Sequence, residues 1–143
     1  MAASNALFDL IAALARKRYR LAEREFAQIG LNHTEARLIS LLVAKDGRTQ
    51  DDLSAAMIID RSNVGRALKA LEDRGYLVRK KSPEDKRTSL VFLTAKGRQL
   101  SKTIAQAKRR MIAAFSAQIT PKEAEAAVAV LSKMFAPGEE PLL

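Results

Sequence analysis

Arg61, Ser62 and Asn63 open a helical pattern, and a hairpin carrying Lys80, Lys81, Lys86 and Arg87 follows within thirty residues. These residue types suit nucleic-acid recognition. Arginine can grip a guanine edge bidentately and asparagine can pair with adenine, each discriminating by about 1–3 kcal/mol. The first turn of a helix is where base contacts concentrate when it enters a major groove. Arg66 and Lys69 lie one and two turns further along, placed for phosphates or neighbouring bases. The hairpin cations suit phosphates and a narrow minor groove, whose negative potential attracts arginine. Thr49 and Gln50, at the start of the preceding helix, are weaker candidates for DNA phosphate. A charged helix face is ordinarily just solvated. Here the hairpin and the local charge tip the balance toward double-stranded DNA.

The charge distribution supports the same partner. The chain has 143 residues and a net charge of +9. Residues 61–110 hold 15 Lys/Arg against 4 Asp/Glu, a local +11, while the rest of the chain sums to −2. Excess positive charge confined to one segment favours a polyanion there. At 48% apolar residues the composition is that of a globular chain with its own core.

The elements that must position these residues are mainly helical. Leu7, Leu10, Ile11, Leu14, Leu21, Ala22 and Phe26 recur at helical spacing and predict a helix over 5–29, stopped at Gly30. Asn32-His33-Thr34-Glu35 is a capping-box pattern in which Asn32 or Thr34 starts a second helix. Ala36, Leu38, Ile39, Leu41, Leu42 and Val43 make that helix buried. Thr49 caps a third, short helix with Asp51 and Asp52 in its first turn, where the helix dipole favours them. Asp60 is the expected N-cap of a fourth helix, residues 61–74, burying Val64, Leu68 and Leu71. Two helices joined by a tight turn, Ile58-Ile59, form a helix-turn-helix pattern.

Beyond Gly75, residues 76–81 read as a strand, 82–87 as a loop and 89–93 as the return strand. Thr94 caps a long helix with Leu100, Ile104, Ala107, Met111 and Phe115 on one face. Thr120-Pro121-Lys122-Glu123 starts a last helix lined by Val128, Leu131 and Phe135. The fold class is mainly α (α+β), a winged helix-turn-helix lobe over 31–97. Residues 1–30 and 98–136 supply dimerisation helices, because their apolar stripes exceed what one core can bury. Residues 137–143 form a tail. A symmetric homodimer presents two reading heads to a two-fold site.

Several function classes are excluded or disfavoured. No cysteine and one histidine leave no thiolate zinc site, no catalytic triad and no metal or cofactor motif. Paired carboxylates in an evident cleft are also missing, so an enzyme is not expected. Asp9 interrupts the first apolar run and the basic residues follow it, the wrong order for a secretory signal. With no run of about 20 apolar residues, no membrane partner is expected, and a soluble cytoplasmic protein is. His33, Arg16 and Arg20 are effector-binding candidates at a helix junction. Their blander readings are a half-exposed residue beside a helix start and a solvated helix face.

These residues resemble the MarR family, the multiple antibiotic resistance regulators. The likeness covers about residues 31–100. It rests on 49–53, on Asp60-Arg61-Ser62-Asn63-Val64, on 71–79, on Pro83-Glu84-Asp85-Lys86-Arg87 and on Leu93-Thr94-Ala95-Lys96-Gly97. The terminal helices agree in length and placement. The resemblance implies a homodimeric winged-helix transcription factor, most often a repressor, on a pseudo-palindromic operator. It also implies release by a small phenolic or anionic effector in a cleft between the dimerisation helices and the DNA-binding lobe. The family's Asp-x-Arg wing element falls on Asp85 and Arg87, with Arg87 as minor-groove probe. Asp85 would repel phosphate, so its expected role is to cap the turn and pair with the Arg87 guanidinium.

One departure stands inside the fourth helix. Where the family commonly has threonine, this chain has Gly65, at a helix cost of about 1 kcal/mol relative to alanine. Close backbone approach to a phosphate or a thymine methyl is one use for it. The other glycines fall at turns. The absence of cysteine excludes thiol-based peroxide sensing. The alternatives are a winged-helix protein-interaction module and a nonspecific DNA binder without a ligand response, since fold alone does not settle function.

Overall fold

The computed structural model describes residues 1–57 and 61–139. The Asp60 cap and the Ile58-Ile59 turn lie outside the described residues. Six helices and one hairpin follow in order: α1 (Ala2–Gln28), α2 (His33–Ala44), α3 (Gln50–Met57), α4 (Arg61–Asp73), β1 (Leu77–Lys81), β2 (Ser89–Leu93), α5 (Ala95–Phe115) and α6 (Pro121–Ser132). The chain forms two compact units, Met1–Met111 and Ile112–Leu143.

The core lies in the first unit. Leu38, Ile39 and Leu42 of α2 meet Leu53 and Met57 of α3 and Val64, Leu68 and Leu71 of α4. Leu77, Val91 and Leu93 close it from the hairpin, and Ala22, Phe26, Ile104 and Ala107 from α1 and α5. The spacing of Val64, Leu68 and Leu71 keeps one face of α4 inward, so its polar residues must face out. Val43, expected in the core, is 51% exposed because it falls on the outer side of α2.

The caps explain where helices start. Asn32, not Thr34, caps α2: its Oδ1 accepts from the Glu35 N–H at 2.8 Å, and Glu35 Oε2 accepts from the Asn32 N–H at 3.1 Å. Thr49 caps α3, accepting from the Asp52 N–H at 3.1 Å. Thr94 Oγ1 accepts from the Gly97 N–H at 3.1 Å and opens α5. Thr120 and Glu123 complete a capping box on α6.

The hairpin is antiparallel, with Leu77 opposite Leu93 and Lys81 opposite Ser89. Arg48 bridges Val91 on the other side of β2, a pairing the sequence did not announce. Asp46 secures this edge: its Oδ1 accepts from the Leu93 N–H at 2.9 Å and its Oδ2 from Arg98 at 2.6 Å. Gly75 ends α4 at φ +81°, a conformation that disfavours any residue with a Cβ. Gly97 is not at a turn but in α5, where a Cβ would sit 2.2 Å from the Tyr76 carbonyl oxygen. The glycine therefore lets α5 lie directly against the start of the wing.

Apolar surface remains outside the core in each unit. On α1, Phe8 is 75% exposed, and Leu7, Leu10 and Leu14 are also exposed. In the second unit, Ile112, Ile119, Val128, Val130, Met134 and Phe135 are exposed, and α6 buries no residue.

Candidate nucleic-acid interface

All five α4 candidates, Arg61, Ser62, Asn63, Arg66 and Lys69, are exposed, opposite the buried Val64-Leu68-Leu71 face. They form local pairs. Arg61 Nε lies 3.1 Å from Asp51 Oδ1 of α3. Arg66 donates to Asn63 Oδ1. Lys69 Nζ donates to Asp73 at 2.9 Å, and this hydrogen bond raises the Lys69 pKa.

The wing extends the same cationic set. Lys80 lies over the Phe92 ring at 5.3 Å and Lys81 Nζ is 3.4 Å from Ser89 Oγ. Lys86 and Arg87 are exposed at the tip and make no ion pair among the described residues. Asp85 caps the turn as expected, but it does not take the Arg87 guanidinium. Its Oδ1 accepts from the Arg87 backbone N–H at 3.0 Å and its Oδ2 from the Thr88 hydroxyl at 3.2 Å. A short side chain two residues back reaches the backbone more readily than the end of an arginine. The carboxylate thus shapes the loop and leaves the guanidinium free of it.

Thr49 serves as the α3 cap, and Gln50 is turned inward. Gln50 Nε2 donates to the Arg61 carbonyl at 3.2 Å, and Arg79 Nη1 donates to Gln50 Oε1 at 3.4 Å. Arg79 Nε is also 3.4 Å from Glu72 of α4. Arg79 was missed in the sequence, where it is one of three consecutive basic residues and nothing separates it from Lys80 and Lys81. The space beside Gly65 is filled from within the protein. A Cβ there would lie 2.9 Å from Gln50 Nε2, so this part of α4 faces Gln50 and not an open approach for phosphate or a methyl group.

Two of the effector candidates, Arg20 and His33, come together at the junction of α1 and α2, while Arg16 lies apart from His33. An open groove of about 750 Å³ is lined by Tyr19, Arg20, Glu23, Leu31, Asn32 and His33, among others. A smaller groove of about 400 Å³ is lined by Ala15, Arg16, Tyr19 and Arg20. His33 is half-buried, with Tyr19 at 5.2 Å and Phe26 at 6.0 Å between ring centroids. Its buried Nδ1 has no hydrogen-bond partner. Burial lowers the His33 pKa, Arg18 and Arg37 lower it further, and Glu23 opposes them. Burial and the same two arginines lower Lys108, whose Nζ is 3.1 Å from Ser40 Oγ. Tyr19 and Arg37 were missed although they lie within a turn of Arg20 and of His33, respectively, because nothing local tells which side of α1 and α2 faces the groove. Lys108 comes from α5, distant in sequence. Among the described residues no His, Cys, Asp or Glu cluster could hold a metal ion.

A helix-turn-helix followed at once by a hairpin defines a winged helix-turn-helix protein. Residues 29–88 match the model of the MarR family. The chain is 30% identical over 111 residues to the HTH-type transcriptional regulator YkoM of Bacillus subtilis, covering 77% of this chain and 71% of YkoM. It is 33% identical over 105 residues to YdgJ of the same organism, also an HTH-type transcriptional regulator, covering 73% of this chain. The chain spans only 64% of YdgJ's length. The structure of a cysteine-to-serine variant of MarR from E. coli, in complex with operator DNA, superposes with a TM-score of 0.78 at 21% identity. That match covers 92% of this chain and 94% of the other, and it is a likeness of fold. The chain belongs to the MarR family.

Proposed function

We propose that this chain is a homodimeric, sequence-specific transcriptional regulator of double-stranded DNA, a repressor released by a small anionic or phenolic effector. One observation carries the DNA reading. Arg61, Ser62, Asn63, Arg66 and Lys69 share the solvent face of α4, and the wing places Lys86 and Arg87 on an exposed tip without ion pairs among the described residues. Arg61 to Asn63 read bases, while the other cations contribute register and charge. YkoM, YdgJ and the MarR–operator complex support this reading.

The exposed apolar faces of α1 and of the second unit support dimerisation through the terminal helices. Two neighbouring grooves, one lined by Arg20 and His33 and the other by Arg16 and Arg20, support an anionic effector, with Tyr19 offering an aromatic face to both. No helix among the described residues is long and apolar enough to cross a membrane, consistent with a cytoplasmic regulator.

The test is selection of bound sequences from a randomised duplex pool, followed by a salt titration. The expected result is a two-fold symmetric consensus with half-sites about one helical turn apart, and affinity that falls steeply with salt. A pool that stays random, with a flat salt response, would refute DNA reading and favour a protein-interaction module. A random pool with a steep salt response would mark a nonspecific binder. Benzoate and salicylate added to the complex test the effector step. Release that disappears in Arg20→Ala supports it, and no release by either acid counts against this effector class.

A further inference from the structure

Gly65 and Gln50 form one device. Glycine is a poor choice inside a helix, and Gly65 has no turn to serve. What it provides is room: a Cβ would approach the Gln50 amide nitrogen to 2.9 Å. The amide seated there touches two elements. Its Nε2 donates to the Arg61 carbonyl in the first turn of α4, and its Oε1 accepts from Arg79 of β1. Arg79 returns to α4 through Glu72 at 3.4 Å. Next to Gln50 on α3, Asp51 holds the Arg61 side chain. The first turn of α4 and the base of the wing are therefore both fastened to the start of α3.

We propose that Gln50, seated in the space at Gly65, is a positioning residue for sequence discrimination. It fixes the first turn of α4 relative to the wing, so that Arg61 and Asn63 meet base edges in the required geometry. The proposal rests on the DNA-binding function above. Base readout is bidentate and directional, so it depends on where the helix start is held. Phosphate contacts by long, flexible cations depend on it far less. Loss of the Gln50 seat should therefore cost specificity while sparing general affinity.

The test uses full-length Gly65→Ala, Gln50→Ala and the double variant, measured against the duplex selected by the wild-type protein and against a random duplex. Alanine at 65 favours the helix and meets only the far end of a flexible side chain, so Gly65→Ala is expected to keep or raise the Tm. Each single variant should lower the selected-to-random affinity ratio about tenfold. Random-duplex affinity and its salt slope should stay within about twofold. The double variant should lose no more than either single, because both remove the same seat. A wild-type ratio in Gly65→Ala, or additive losses in the double, would overturn the proposal. Parallel loss of Tm and of both affinities in Gln50→Ala would reduce Gln50 to fold support and also overturn it. Failure of the wild-type protein to select any duplex is a separate result that removes the DNA reading and this proposal with it.

Discussion

Arg74, just beyond the end of α4, reaches back to the start of α2 and holds Glu35. Its Nη1 lies 3.4 Å from Glu35 Oε2, and its Nη2 donates to the Gly30 carbonyl at 2.7 Å. Glu35 is only 7% exposed and also caps α2 through Asn32. One arginine thus joins the end of α4 to the α1–α2 junction that lines the groove. Removing it leaves a buried carboxylate without its cation. Arg74→Ala should therefore destabilise the protein by about 1–3 kcal/mol. Urea denaturation at neutral pH checks this, with a lower midpoint expected and no change in slope.

Arg87 is the exposed guanidinium of the wing tip, on a loop shaped by Asp85. Arg87→Ala should weaken binding to the selected duplex at least about tenfold while the protein remains a folded dimer. Lys86→Ala should instead weaken all duplexes alike and reduce the salt slope by about 1. Anisotropy titrations at several salt concentrations, paired with sedimentation, separate the two. Unchanged operator affinity in a folded Arg87→Ala dimer would remove the wing assignment.

Asp51 holds Arg61 in a pair whose side chains are 72% and 70% exposed for Arg61 and Asp51, respectively. Such pairs contribute little to stability because water screens them and two side chains must be ordered. Asp51→Asn should leave the unfolding free energy within about 0.5 kcal/mol of wild type. The same change removes a negative charge from the face proposed to meet DNA and frees Arg61. Random-duplex affinity should rise, and a filter-binding titration at low salt reads the change. A drop in affinity would mean that Asp51 is needed to orient Arg61.

His33 supplies a pH dependence with a definite sign. Its folded pKa lies below the ordinary 6.5, chiefly through burial and then through Arg18 and Arg37. The unfolded chain therefore binds the proton more readily, so acid favours unfolding. The stability held by neutral His33 is fully present above about pH 6.5 and declines as pH falls from there toward the folded pKa. Thermal unfolding between pH 8 and pH 5 should show this decline in the wild type and a shallower one in His33→Gln. Equal slopes in the two proteins would exclude His33 as the group responsible. Glu23 and Lys108, which also face this histidine, remain in both and cancel in the comparison.

The winged helix-turn-helix was legible because its signals are local. Capping residues, the 3.6-residue spacing of Val64, Leu68 and Leu71 and the alternation in β2 each act within a few residues, so order in the chain predicts order in space. Asp85 was recognised as a turn cap for the same reason. Its supposed pairing with the Arg87 guanidinium failed because hydrogen bonds to the nearby backbone were closer at hand. Gln50 was legible only as a weak phosphate candidate and Arg79 not at all, since the two partners lie 29 residues apart and Arg79 sits among like basic residues.

By itself the sequence determined a winged helix-turn-helix, with α4 presenting its cations outward and the wing following it. Amphipathic spacing and caps require that much, whatever surrounds them. Only tertiary structure decided that Gly65 faces Gln50, that Gly97 admits the Tyr76 carbonyl and that Arg48 adds a bridge to β2. It also decided that His33 sits among Arg18, Arg37 and Lys108. Each of these depends on which distant segments pack together, and close packing fixes distances that no local pattern encodes.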